Sequence, residues 1–137
     1  MNEKIISSNP GQAVAVLIIT PQGIPLIRDP KKPSPVYWKA PGGRGSGAES
    51  AEEVALREIR EEIGIKLKKE DLSAIYREDK GSHILTMFRA DLPALPQLKT
   101  RGDEGEEIKV FLPKDIMSMP DFFSNHRAIY GKIIGNL

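Results

Sequence analysis

Residues Gly43 to Ile65 read GRGSGAESAEEVALREIREEIGI, a glycine-rich stretch that leads into an amphipathic pattern. Ser50 is a favourable helix N-cap, and Glu53 three residues later completes the pattern of a capping box. Gly64 supplies the left-handed conformation with which helices commonly end. The sequence therefore predicts a helix from Ser50 to about Ile63.

Three glutamates of this helix, Glu58, Glu61 and Glu62, are predicted to share one face. A helix turns about 100° per residue, so spacings of three and four residues place their side chains within an arc of roughly 100°. Like charges at this spacing repel one another, and a hard divalent cation such as Mg²⁺ would offset the repulsion. A merely solvated acidic face is the alternative that these residues alone leave open.

The glycines before the helix strengthen the case for a bound anion. Glycine lets the backbone approach a ligand closely, and backbone N–H groups at a helix N-terminus favour negative charge. The glycine-rich stretch and the carboxylate face together suit a metal-bound diphosphate. The matching chemistry is attack of water on phosphorus, with metal ions orienting the water and neutralising the leaving group.

Short apolar stretches on both sides of the helix predict the rest of the fold. The β-branched stretch from Gln12 to Thr20 predicts a buried strand. Further strands are predicted at Ile24–Arg28, Val36–Ala40, Leu72–Arg77, His83–Ala90 and Glu107–Leu112, with a closing helix from Asp121 to about Ile134. Residues 41–47 are predicted to be irregular because glycine is costly in regular structure. This order predicts one α/β domain over residues 1–137, with a mixed sheet between helices.

Composition narrows the function classes. The 137 residues carry 20 lysines and arginines against 19 acidic residues, a balance that argues against a broad basic face for nucleic acid. The absence of cysteine excludes disulfides and thiolate metal sites. The N-terminal MNEKIISSNPGQ lacks the apolar core of a signal peptide, and no apolar run approaches the roughly 20 residues of a membrane span. We expect a cytoplasmic protein without DNA or membrane partners.

The stretch quoted above resembles the complete Nudix box. Gly43, Glu49 and the run REIREEIGI from Arg57 to Ile65 fall at the fixed positions of that box, over 23 residues. The preceding WKAPGG also resembles the strand and Pro-Gly-Gly segment typical of the family. One departure is Ala48, which stands where the family often has glycine. The resemblance implies a Nudix-type α/β/α sandwich that hydrolyses a diphosphate linkage in a nucleoside diphosphate joined to another moiety.

The resemblance also implies roles for individual residues. The metals, Mg²⁺ or alternatively Mn²⁺, would be bound by the carbonyl of Gly42 and by the side chains of Glu58, Glu61 and Glu62. Those glutamates are also the implied catalytic residues. The backbone of Gly43 would contact substrate. Glu49 and Arg57 are implied to form an internal ion pair that supports the site.

An acidic loop and a few other side chains are further candidates. Related enzymes often draw a base or an extra metal ligand from a loop such as RGDEGEE, residues 101–107, where Glu104 is the first choice and Glu107 the second. A solvated loop is the alternative. Arg28 resembles a position that contacts substrate phosphates in the family, with a surface arginine as the alternative.

Aromatic and imidazole side chains complete the candidates. Trp38 and Tyr37 are both suited to stack on a base, although one of them is expected in the core. His83 and His126 have no ligand-like partner in sequence and are predicted to be structural.

The substrate is less sharply defined by the sequence. The family's marker for ADP-ribose hydrolysis is a proline beyond the box, at a place occupied here by Lys80-Gly81-Ser82. Because the marker for ADP-ribose hydrolysis is absent, the sequence favours a nucleoside triphosphate or related small nucleotide as substrate. The alternatives are a 5′-end RNA pyrophosphohydrolase, against which the balanced charge argues mildly, and a non-catalytic Nudix fold that binds a ligand or partner. A DNA-controlling sensor would need an additional domain, and a homodimer is left open.

Overall fold

The computed structural model describes residues 11–137. Residues 1–10, most of the N-terminal segment in which no signal peptide is predicted, lie outside the described residues. Within residues 11–137 there are six strands and three helices, in chain order β1 Gly11–Ile19, β2 Ile24–Arg28, β3 Gly42–Gly45, α1 Ala51–Ile63, β4 Ser73–Asp79, β5 His83–Asp91, β6 Glu107–Phe111, α2 Pro113–Ser118 and α3 Ser124–Gly135. A short 3-10 helix, Lys69–Asp71, precedes β4. Within the described range, no helix is long and apolar enough to cross a membrane.

The central sheet is mixed, as predicted. Its strand order is β3-β1-β5-β4, with β1 parallel to β5 and the outer pairs antiparallel. Strands β2 and β6 pair with each other in a separate antiparallel sheet. The prediction of one sheet is therefore corrected to a four-stranded sheet and a two-stranded ribbon.

The core has two halves because successive side chains of β1 point to opposite faces of the sheet. Val14, Val16 and Ile18 pack on one face with buried residues of α1. Ala15 and Leu17 pack on the other face, where the helical partners are Ile116, Tyr130 and Ile134 of α2 and α3. Helices thus cover both faces of the central sheet, which confirms the predicted α/β/α sandwich.

The ends of α1 are those predicted. Ser50 Oγ accepts a hydrogen bond from the Glu53 N–H at 3.1 Å, and Glu53 Oε1 accepts one from the Ser50 N–H at 2.8 Å. Gly64 ends the helix at φ 83°, where its N–H donates to Ile59 and Arg60 carbonyls. These local signals fix which residues of α1 face the sheet and which face outward.

Three predicted segments differ from the structure, and one helix is not predicted. Residues 41–47 were predicted to be irregular, yet Gly42–Gly45 form β3, since glycine allows close approach: a Cβ on Gly42 would lie 2.0 Å from the Val14 carbonyl oxygen. The predicted strand Val36–Ala40 forms only isolated bridges, through Trp38 to Phe122 and Lys39 to Ile27.

The helices after β6 also differ from the prediction. Helix α2 is not predicted, and α3 begins at Ser124 rather than Asp121.

Candidate active site

An acidic cleft of about 430 Å³ lies where β3, the outer face of α1 and the loop before β6 meet. Its walls are formed by Lys32, Gly42, Gly43, Arg44, Glu58, Glu61, Glu62, Asp103, Glu104 and Glu106. The fold thus brings together the three predicted helix glutamates, both predicted glycines and the predicted loop residue Glu104.

Glu62 is tied to the glycine-rich strand. Its Oε1 accepts a hydrogen bond from the Gly42 N–H at 2.7 Å. Burial raises the pKa of Glu62 to about 8; the bond from Gly42 opposes that rise, whereas the charges of Glu58 and Glu106 add to it. The negative charge of this carboxylate is therefore poorly compensated by the protein alone.

Arg57 joins the glycine-rich segment to α1. Its Nε and one terminal nitrogen donate to the two oxygens of Glu49 at 2.9 and 3.0 Å, so the predicted ion pair is present and bidentate. The other terminal nitrogen donates to Glu58 at 2.8 Å and to Glu61 at 3.4 Å. The hydrogen bond from Arg57 lowers the pKa of Glu49. Burial nevertheless raises the pKa of Glu58, against the effect of the same guanidinium.

The donor set fits a hard divalent cation. It consists of carboxylate and backbone oxygens, the ligands that Mg²⁺ prefers. Among residues 11–137 no three acidic or imidazole side chains converge into a ready-made cage, because Glu58 and Glu61 turn toward Arg57 while Glu62 turns toward Gly42. An open arrangement suits Mg²⁺, which usually keeps several waters and binds through one or two carboxylates and the substrate phosphates.

The loop before β6 buries Glu106 in the cleft wall and leaves Glu104 exposed. Glu106 is 7% exposed, and its Oε1 accepts from the Glu104 N–H at 3.1 Å. Gly102 makes room for it, since a Cβ there would lie 2.1 Å from Glu106 Oε1. Glu104 lines the cleft but is exposed.

The place of Glu106 in the cleft wall is not among the sequence predictions, which name Glu104 and Glu107. The available signal was its place next to the strand that starts at Glu107, because neighbouring residues of a strand point to opposite sides. Glu107 accepts a hydrogen bond from Arg28 at 2.7 Å and does not line the cleft. One of the two adjacent glutamates therefore faces the cleft and the other faces away from it.

Arg28 and Trp38 lie together outside the acidic cleft. The guanidinium carbon of Arg28 is 4.5 Å from the centroid of the Trp38 ring, which is 8% exposed and meets Phe111 edge-on at 5.2 Å. Tyr37 is 41% exposed. One of the two candidate aromatics thus belongs to the core, as expected, while substrate contacts by Arg28 and Trp38 stay predictions.

A second cavity of about 430 Å³ adjoins the acidic cleft, and Gly42, Gly43 and Arg44 line both. Its walls come from β1, β5 and the start of α3, with Ala15, Leu85 and Phe123 among the apolar contributors and Asn125 and His126 among the polar ones. A ligand that holds a diphosphate in the acidic cleft thus has an adjoining, less acidic space for a second part.

Comparison with known proteins identifies the class of enzyme to which this arrangement belongs. A family model of the NUDIX domain matches residues 9–132, and the chain belongs to the Nudix family. It is similar to an ADP-ribose pyrophosphatase from Methanocaldococcus jannaschii, at 30% identity over 125 residues that cover 88% of this chain and 71% of that protein. The family and this relative make the chain a Nudix hydrolase.

Solved structures share the fold. A MutT structure from work on Aliivibrio salmonicida and Vibrio cholerae superposes with a TM-score of 0.75 at 23% identity, covering 93% of this chain and 99% of that one. A bifunctional NMN adenylyltransferase/ADP-ribose pyrophosphatase from Francisella tularensis, solved with AMP and a manganese ion, gives 0.70 at 22% identity. That match covers 93% of this chain, which spans 42% of the longer protein.

Proposed function

We propose that the acidic cleft hydrolyses a diphosphate linkage in a nucleoside diphosphate joined to another moiety, with Mg²⁺ or Mn²⁺ as cofactor. The observation that carries the proposal is that Glu58, Glu61 and Glu62 line one cleft together with Gly42 and Gly43. Metal ions held there would orient a water molecule and neutralise charge on the leaving group. The manganese ion of the Francisella structure supports the choice of metal.

Each side chain of the cleft has a distinct task in this proposal. Glu62 would bind metal through the carboxylate oxygen that does not accept from Gly42. Glu58 and Glu61, which accept hydrogen bonds from Arg57, would bind metal from the same cleft. The carbonyl of Gly42 serves as a backbone ligand. Arg44 and Lys32, the cations of the cleft wall, bind phosphate oxygens.

Glu106 is proposed as the group that accepts a proton from the attacking water. It is buried, it lines the cleft, and the Glu104 N–H fixes its orientation. A general base has to lie within hydrogen-bond reach of the proton it removes, and a carboxylate fixed in the wall meets that requirement better than an exposed one.

ADP-ribose, a nucleoside diphosphate joined to a sugar, is the first candidate substrate. The support is the 30% identity to the ADP-ribose pyrophosphatase of Methanocaldococcus jannaschii, which outweighs the absence of the proline marker at Lys80–Ser82. The second cavity offers space for one end of such a molecule beside the diphosphate. A nucleoside triphosphate is the second candidate, since the missing proline favours it.

A nucleotide panel tests the function and its metal dependence together. The protein is incubated with ADP-ribose, the common nucleoside triphosphates and a 5′-triphosphorylated RNA, each with Mg²⁺ or Mn²⁺, and products are separated by chromatography. We expect AMP and ribose 5-phosphate from ADP-ribose, and no product in excess chelator, because the cleft has only hard oxygen donors. Full turnover in chelator, or no turnover of any nucleotide, contradicts the proposal.

Substitution of the two loop glutamates identifies the base. Glu106→Gln is expected to lower kcat by roughly a hundredfold while KM stays similar, because the base acts on the reacting water rather than on substrate binding. Glu104→Gln, a matched change in the same loop, should alter kcat by less than about threefold. The reverse pattern would give the role to Glu104, as the sequence alone predicts, and equal small effects would exclude both.

A further inference from the structure

The segment from Trp38 to Gly42 leads into the acidic cleft and is hydrogen-bonded residue by residue to its surroundings. The Trp38 N–H donates to the Asp121 carbonyl at 2.8 Å, and the Trp38 carbonyl accepts from the Phe123 N–H at 2.9 Å. Lys39 exchanges two bonds with Ile27 of β2, at 2.9 and 3.0 Å. These contacts hold the first part of the segment between β2 and the start of α3.

The second part of the segment is held in the same way. The Pro41 carbonyl accepts from the Val16 N–H of β1 at 2.8 Å, and the Gly42 N–H donates to Glu62. Between them lies Ala40, whose N–H donates to Nδ1 of His126 at 3.1 Å. His126 is therefore the side chain through which α3 holds this part of the segment.

His126 and Ala40 are both largely buried, with exposed fractions of 8% and 2%, in the wall of the second cavity. The rings of Phe123 and Tyr130 meet the imidazole edge-on, with centroids at 5.2 and 5.6 Å. Packing thus fixes the orientation in which Nδ1 faces Ala40.

The chemistry of the bond fixes the form of the imidazole. A backbone N–H only donates, so Nδ1 has to be the unprotonated acceptor and the proton of the neutral ring sits on Nε2. Burial lowers the pKa of His126 to about 4, which keeps the ring neutral near pH 7.

We propose that His126 is a positioning residue: its Nδ1 fixes Ala40 and, through it, the placement of Gly42 and Gly43 against the carboxylates of the cleft. Gly42 bonds Glu62, and Gly43 leaves so little room that a Cβ on it would lie 2.4 Å from Glu58 Oε1. Displacements of about 1 Å at a reacting centre cost up to a hundredfold in rate. The effect on turnover rests on the function proposed for the cleft, whereas the effect on the segment does not.

Two substitutions separate the nitrogens of His126. Asparagine places an oxygen near the position of Nδ1 and loses Nε2, whereas glutamine reaches the position of Nε2 and loses Nδ1. Because His126 also lines the second cavity, the two variants are compared with each other: we expect the kcat of His126→Gln to lie tenfold or more below that of His126→Asn. A merely space-filling histidine predicts equal losses in both variants.

Amide hydrogen exchange reports on the segment without substrate or metal. In His126→Gln the Ala40 and Gly42 amides should exchange at least tenfold faster relative to amides of β5, and in His126→Asn they should stay protected. In the parent, the ¹⁵N spectrum of the imidazole should show an unprotonated Nδ1. A protonated Nδ1, or Gly42 protection that does not follow Ala40 protection, overturns the proposal.

Activity is then compared with that protection. Loss of kcat with Ala40 still protected, or full kcat with Ala40 unprotected, also overturns the proposal. Activity retained in the glutamine variant and lost in the asparagine variant overturns it in favour of a direct role for Nε2. If the protein hydrolyses no nucleotide, only the proposed function is refuted, because the hydrogen-exchange and ¹⁵N results do not depend on hydrolysis.

Discussion

Glu62→Gln is expected to abolish hydrolysis almost completely while keeping the shape of the site. The amide oxygen of glutamine still accepts the Gly42 N–H bond, which spans 2.7 Å in the parent, so the link between β3 and α1 survives. The charge that would bind a metal ion is lost. Mutation of a residue that only hydrogen-bonds a metal ligand typically lowers metal affinity or activity 10- to 100-fold. Removal of a ligand itself should therefore lower kcat by roughly a hundredfold or more.

The same substitution should stabilise the metal-free protein at neutral pH. The pKa of Glu62 rises from 4.5 to about 8 on folding, so the folded state favours the neutral carboxyl. The contribution of Glu62 to the free energy of unfolding is therefore fully present below pH 4.5 and is lost as the pH rises toward 8. It is lost because the Glu62 carboxyl releases its proton at a lower pH in the unfolded chain than in the folded protein. Glutamine removes that loss. At pH 7.5 we expect a gain on the order of 1–3 kcal/mol, allowing for partial solvation.

Magnesium should reverse the order of stability. A ligand that binds only the folded state stabilises it by about 2.7 kcal/mol at a hundredfold excess over Kd, and the variant should gain clearly less. Melting curves of parent and variant, with chelator and with Mg²⁺ across pH 5–8.5, measure both effects. Glu70→Gln, at an exposed carboxylate outside the cleft, controls for the loss of one charge. An active variant with the full magnesium shift would remove Glu62 from the metal site.

The parts of the fold that the sequence predicts well are those governed by local chemistry. The ends of α1 follow from Ser50, Glu53 and Gly64, whose hydrogen bonds lie within a few residues of one another. β1 follows from a run of β-branched residues too short for a typical helix. β3 is different: Gly42 is in a strand because β1 lies against it, and that contact spans a long separation in sequence.

The residues of the candidate site likewise differ in whether local sequence or tertiary packing places them. Glu58, Glu61 and Glu62 share a helical face, so their common place in the cleft wall is predictable from helical geometry. Glu106 lies in the cleft wall because Gly102 leaves room for its carboxylate and the Glu104 N–H donates to it. The bond from Ala40 to His126 joins residues 86 positions apart. Such contacts depend on the packing of whole elements, which the local sequence pattern does not specify.

Alanine at Gly42 and at Gly43 should separate stability from catalysis. A Cβ on Gly42 would lie 2.0 Å from the Val14 carbonyl oxygen and 2.7 Å from Ala15 Cα, both backbone atoms of the central strand. Neither atom can move without disturbing the pairing of β1 with β3. Forced overpacking typically costs about 1–3 kcal/mol and occasionally more, and Gly42→Ala should reach or exceed the top of that range.

Gly43→Ala meets a side chain instead of the backbone. Its Cβ would lie 2.4 Å from Oε1 of Glu58, a flexible carboxylate that can turn away while β3 stays paired. We expect unfolding free energy to change by less than about 1.5 kcal/mol and kcat to fall tenfold or more, because the carboxylate leaves its position in the cleft. Thermal melts and steady-state kinetics of both variants measure the contrast. If Gly43→Ala kept full kcat, the placement of Glu58 against β3 would have no part in turnover. If Gly43→Ala lost as much unfolding free energy as Gly42→Ala, then β3 would not tolerate a side chain at either glycine.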